Sequence, residues 1–398
     1  MRLWRPLSLA VGSGQAEAPR ARGDAPAFAA TAVWLAIALV VVRFVPAVAA
    51  HEPWIDPDES IFLGGGTGFS PVVGPLADAL GVAGFLAFNV GIGVLLVLLA
   101  ATLAREWGGE PGHAAVAVAV APALFWGAFV MPDLLGALGI VAWAVALSRG
   151  RPWEASLLLV LSIGIDASLA AVAFCWLLAA VVLRSRVAPA CVALAGSALV
   201  ALTLLRFGGY TDVRHDGDPA LFLVTAAGWG ALTVALVLLP LVPAFAYGMR
   251  FPKGAHVPLL AVGLATFLTA GYIGAGSGLH ANARYGLALA VLVLCGLSRD
   301  GYRASPRMLV YGCLVVLALG ILTPADESEA LWAAALLSPA GYGIALALAG
   351  FLGRRGWPVL GLALQSVVLV VVDLANSADA RNGFPVTARA VTSWIGLT

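Results

Sequence analysis

Apolar residues run along this chain in long blocks broken by short polar connections, with no two-residue alternation and no polar stripe at helical spacing. Cutting at the polar breaks leaves twelve segments, at 27–50, 79–104, 112–131, 133–148, 155–183, 187–206, 221–247, 257–275, 283–298, 308–323, 330–352 and 357–376. Segments apolar all round are read as helices whose surroundings are themselves apolar. A hydrocarbon layer about 30 Å thick needs about 20 such residues per crossing. The pattern therefore predicts an all-α, polytopic integral membrane protein of about 12–13 transmembrane helices.

The fifth segment, 155–183, is too long for one crossing: at 1.5 Å per residue it would extend about 43 Å. Asp166 lies near its middle, just after Gly164. An ionised carboxylate facing lipid there would cost about 2.5–3.5 kcal/mol. Two short helices meeting at Asp166 would lift the charge toward an interface. With that hairpin, 16 of the 22 basic residues fall on one side of the membrane, and 15 of the 21 acidic residues fall on the other side or at the outer ends of helices. The positive-inside rule makes the basic side cytoplasmic. The N-terminus then lies inside and the C-terminus outside.

Composition agrees. The chain is 61% hydrophobic and 11% charged, too few polar side chains to cover a water-soluble globule of 398 residues. Residues 1–26 form a polar, basic cytoplasmic tail, 27–376 the transmembrane domain with an outer loop at 51–78, and 377–398 a short outer tail. The first apolar run is longer than a usual signal-peptide core and reads as an uncleaved helix. Cys175, Cys191, Cys295 and Cys313 lie in apolar stretches without metal-site spacing and read as small core residues. A net charge of +1, without basic runs, argues against nucleic acid and leaves lipid as the expected partner.

Polar groups gather in the connections assigned to the outer face. The first outer loop, HEPWIDPDESIFLGGGTGFSP, carries Glu52, Asp56, Asp58 and Glu59 within eight residues. Capping of a short interfacial helix is the plain reading; the chemical one is a general base or metal ligand at the membrane surface. Asp133 follows Pro132 at a tight outer turn, where a turn or cap role competes with a functional one. His280, Arg284 and Tyr285 stand at the outer mouth of a late helix. Arg284 offers a planar fork suited to a phosphate, or to an outer carboxylate or headgroup. The loop from Phe207 to Asp218 reads as solvated, the competing reading being that Tyr210, Arg214 and His215 touch a substrate. No nucleotide-binding loop, zinc motif or nucleophile elbow is present.

Three of these features in order resemble the C-type superfamily of membrane glycosyltransferases (GT-C): Asp58-Glu59 directly after the first helix, Pro132-Asp133-Leu134-Leu135 opening the fourth, and Arg284-Tyr285 opening a late one. The resemblance covers about residues 27 to 300 and implies an inverting hexosyl transfer on the outer face, from a polyprenyl-phosphate-sugar donor to a hydroxyl of a lipid or glycan acceptor. It implies Asp58 as general base with Glu59 beside it, Asp56 taking that role if the loop turns differently. Asp133 would orient the acceptor, and Arg284, helped by Tyr285 and His280, would hold the donor phosphate. Some members use a divalent metal and others do not, so a metal is left open. Many relatives carry a lysine where this chain has Asp166, which shifts phosphate binding toward Arg284. The Ala-, Gly-, Val- and Arg-rich composition suggests a high-GC bacterial gene, in whose cell envelope mannose is a common sugar on such donors. Two other classes fit a chain of this kind: a secondary transporter, and a non-catalytic membrane scaffold of similar architecture.

Overall fold

The computed structural model describes residues 30–41, 70–119, 130, 132–207, 219–238, 251–277 and 283–297. These form ten helices and three short 3-10 turns, with no strand among the described residues. In chain order the helices are α1 (Ala30–Val41), α2 (Val73–Glu106), α3 (Pro111–Ala119), α4 (Asp133–Ser148) and α5 (Pro152–Ile165). They continue as α6 (Ala170–Val182), α7 (Val187–Phe207), α8 (Pro219–Leu238), α9 (His256–Ser277) and α10 (Leu287–Leu297). Three stretches, Val73–Glu106, Val187–Leu204 and Lys253–Ile273, are long and apolar enough to cross a membrane by length and composition. Shorter apolar stretches lie at Ala30–Val41, Asp133–Ser148, Pro152–Ile165, Ala167–Val182, Pro219–Ala231 and Leu287–Gly296. The expected segments at 308–323, 330–352 and 357–376 lie outside the described residues.

α4 has the bounds its apolar run predicts, and α2 starts six residues early. Gly81, at φ 70° and ψ 164°, breaks α2 into a two-turn piece and a longer rod, and the rod begins close to the expected position. The fifth apolar block is divided at Asp166, whose extended backbone ends α5 and whose Oδ1 accepts the Ser168 N–H at 3.0 Å to start the turn Ala167–Leu169.

The two halves of that block run in opposite directions. Ser156, near the start of α5, donates to the carbonyl of Pro189 near the start of α7 at 2.7 Å. Since α7 follows α6 after only residues 183–186, the beginning of α5 and the end of α6 share one end of the bundle. α5 packs on α4 and α7, and α6 on α7 and α9, so the two legs straddle α7. The edge-to-face pair Trp143–Trp176, with centroids 5.6 Å apart, ties α4 to α6 in the core.

Small residues set the helix spacing. A Cβ on Gly139 would collide with Ser162 of α5, and one on Gly196 with Val160. Gly230 of α8 and Gly271 of α9 lie against the backbone carbonyls of Phe267 and Ala226, bringing α8 and α9 into backbone contact. Close approach through small residues is how helices gain packing where water supplies no drive to associate.

One end of the bundle collects charge. The end of α2 meets the end of α4 through Trp107 Nε1–H donating to Ser148 Oγ at 2.8 Å and an Arg149–Glu106 ion pair at 2.9 Å. Arg186 donates to the carbonyl of Leu147, while Gly254 lies beside Trp107 and Gly296 beside Phe251. Every arginine and lysine whose side chain is described, namely Arg105, Arg149, Arg151, Arg184, Arg186 and Lys253, belongs to these connections. Cys175 and Cys295 are buried as expected, but Cys191 is exposed on the outward side of α7. An all-apolar helix carries no pattern that says which side faces out, so its facing could not be read from sequence.

Candidate functional site

The opposite end holds a pocket built from four separate elements. Asp133 enters it from the first turn of α4, Asp166 and Ser168 from the break between α5 and α6, Thr266 and Thr269 from α9, and Tyr285 from the turn Ala283–Gly286. Below them the lining turns apolar, with Val172, Val262, Ala265, Leu287 and Ala288. Its volume, about 40 Å³, holds a few water-sized groups. It therefore suits the hydroxyl-bearing edge of a ligand.

Each polar residue is there for a local reason. Asp133 lies in the first turn of α4 behind the N-cap residue Pro132, whose carbonyl accepts the Gly136 N–H at 2.8 Å. Asp166 caps its own turn, its side chain accepting the Ser168 N–H. Asp166 is 4% exposed, with its Oδ2 close against Gly136, where a Cβ would come within 2.9 Å. Thr269 donates to the carbonyl of Ser168 at 3.2 Å, fixing the break between α5 and α6 to α9. Thr266 donates to the carbonyl of Tyr285 at 3.4 Å, fixing the turn before α10 to the same helix. α9 is thus the common post on which two irregular segments are hung.

The structure brings Asp133 and Tyr285 into one pocket. Arg284 is in the same turn as Tyr285, and its side chain lies outside the described residues. Asp56, Asp58, Glu59 and His280 also lie outside them. Sequence reasoning missed Asp166, Ser168, Thr266 and Thr269 as pocket residues. For Asp166 the signal was present, a lone carboxylate in a 29-residue apolar block, which pointed to a helix break and to a departure from the family's lysine rather than to a pocket. Hydroxyls at 266 and 269 on an apolar helix carry no such signal. Among the described residues no group of three or more His, Cys, Asp or Glu comes together, so a divalent metal would need ligands from elsewhere in the chain.

No protein-family model, no curated protein and no solved structure matches this chain.

Proposed function

We propose that the chain is a multi-pass membrane glycosyltransferase of GT-C type, moving a sugar from a polyprenyl-phosphate donor to an acceptor hydroxyl on the membrane face away from its basic connections. The observation that carries this reading is the convergence of Asp133, Asp166 and Tyr285 on one pocket, at the end of the bundle opposite the described cations. Segregated charge supports a membrane crossing with the basic end inside. Exposed apolar side chains support the same embedding, with Trp153, Leu157 and Leu161 on α5 and Leu199 and Leu202 on α7 facing outward.

Depth constrains the chemistry. Along the 14 residues of α5, Asp166 stands about 21 Å from the basic end at 1.5 Å per residue. In a layer about 30 Å thick, that is below the outer surface, so the pocket is the inner end of a cleft that a lipid-borne substrate enters from the outer leaflet. Two carboxylates and four hydroxyls there can accept and donate hydrogen bonds to an acceptor hydroxyl and hold it for attack on the sugar. Asp58, in the loop that follows the first apolar segment, would remove its proton, and Arg284 would stabilise the departing phosphate.

Radiolabelled sugar transfer by the purified protein tests this: Asp133→Asn is expected to lower turnover at least tenfold while leaving the protein folded. Turnover unchanged in Asp133→Asn would remove the pocket from the mechanism.

One observation favours a second reading, secondary transport. Asp166 is a buried carboxylate at a helix break, flanked by hydroxyls, an arrangement used for coupling-ion sites within the membrane. Ion-driven solute uptake into proteoliposomes, abolished in Asp166→Asn and accompanied by no sugar transfer, would establish transport instead.

A further inference from the structure

Three helices at the basic end finish in the same way, and one of them breaks the pattern. α2, α4 and α6 each close with a residue in the left-handed region, followed by an N–H that reaches back five residues: Gly109 to Ala104 at 2.7 Å, Arg151 to Ala146 at 2.9 Å and Ser185 to Ala180 at 2.8 Å. The left-handed residue is glycine in the first two, Gly108 and Gly150, and Arg184 in the third, with φ 48°. Arg186, two residues on, is also left-handed, at φ 58°. A side chain in this region costs roughly 1–2 kcal/mol relative to glycine, so two arginines in one tight turn are kept against a backbone preference that the neighbouring helix ends obey.

Among the described residues their guanidinium groups meet no anion. Of the carboxylates at this end, Glu106 is paired with Arg149, Glu154 with Arg151, and Glu110 accepts the Gly112 N–H. Among the described residues none pairs with Arg184 or Arg186. Arg186 is held by one bond to the Leu147 carbonyl, which leaves its other donors open. Both side chains are exposed. Directly beside them an exposed apolar stripe runs up α6 through Val182 (73% exposed), Leu178 and Phe174, spaced four residues apart on one helix face.

We propose that this corner binds an anionic phospholipid, its phosphate between Arg184 and Arg186 and an acyl chain along Val182, Leu178 and Phe174. The stripe favours a lipid over a soluble anion, because a free phosphate would leave it uncovered. The site rests on the membrane reading alone and is independent of sugar transfer. Held there, the lipid would fasten the lower end of α6, and with it the hairpin that carries Asp166.

Full-length protein in detergent, titrated with phosphatidylglycerol or phosphatidylcholine, tests the site by the shift in unfolding temperature. Wild type is expected to be stabilised by phosphatidylglycerol and much less by phosphatidylcholine. Arg184→Gly keeps the left-handed cap, so its unfolding temperature without anionic lipid should equal or exceed that of wild type, while its phosphatidylglycerol shift falls by at least half. Arg184→Lys should retain most of the shift. An undiminished shift in both Arg184→Gly and Arg186→Gln would overturn the proposal, as would an equal shift from inorganic phosphate in place of lipid. A wild-type protein that stays dispersed without detergent would instead refute the membrane reading.

Discussion

At Gly81 the backbone of α2 adopts φ 70° and ψ 164°, a combination open in practice to glycine alone, and nothing lies within 4 Å of where a Cβ would stand. The cost of Gly81→Ala is therefore one of backbone alone, about 1–3 kcal/mol. It should appear as a lower unfolding temperature with little change in the pocket, more than 40 residues away in sequence. Gly136 is the converse case. Its backbone is ordinary helix, but a Cβ would press on the Asp166 carboxylate. Gly136→Ala should leave the unfolding temperature nearly unchanged and lower activity severalfold by displacing that carboxylate; equal activity in the two proteins would show that the position of Asp166 does not matter. Asp166→Asn can still accept the Ser168 N–H through its amide oxygen. It is expected to fold and to lose most activity, which separates the charge of Asp166 from its capping role.

At the scale of elements, the hairpin of α5 and α6 decides the topology of everything after it. A single crossing through 152–182 would put residues 151 and 185 on opposite faces; the hairpin puts them on the same one. In a protein whose four cysteines have been replaced, Arg151→Cys and Ser185→Cys should both react with an impermeant maleimide from the same side, and Ala220→Cys, at the far end of α8, only from the other. Labelling of 151 and 185 from different sides would refute the hairpin. Much of this was legible in the chain. The break at Asp166 follows from the cost of an ionised carboxylate in an apolar block too long for one crossing, and the bounds of α4 follow from Pro132 and Gly150 at its ends. What was hidden depends on which side of an all-apolar helix faces inward. Cys191 and Cys175 sit in similar sequence, yet one is exposed and the other buried. The roles of Thr266 and Thr269 arise only when α9 is packed against two irregular segments.

At the scale of the molecule, the described helices divide into an end rich in arginine, capped by tight turns, and an end where carboxylates and hydroxyls from α4, α9 and two irregular segments meet. In the proposed reading the first end would orient the chain in the membrane and, through Arg184 and Arg186, hold anionic lipid. The second supplies a polar pocket within the apolar layer. The proposed sugar transfer would join that pocket to Asp58, in the loop that follows the first apolar segment, and depends on that residue. The most direct measurement is transfer of radiolabelled sugar from a polyprenyl-phosphate donor to a membrane lipid extract, by purified wild type and Asp58→Ala side by side. Label should be transferred by the wild type and reduced at least a hundredfold in an Asp58→Ala protein with an unchanged unfolding temperature. Equal transfer by the two proteins, or none by the wild type with any sugar on the donor, would contradict the proposed function.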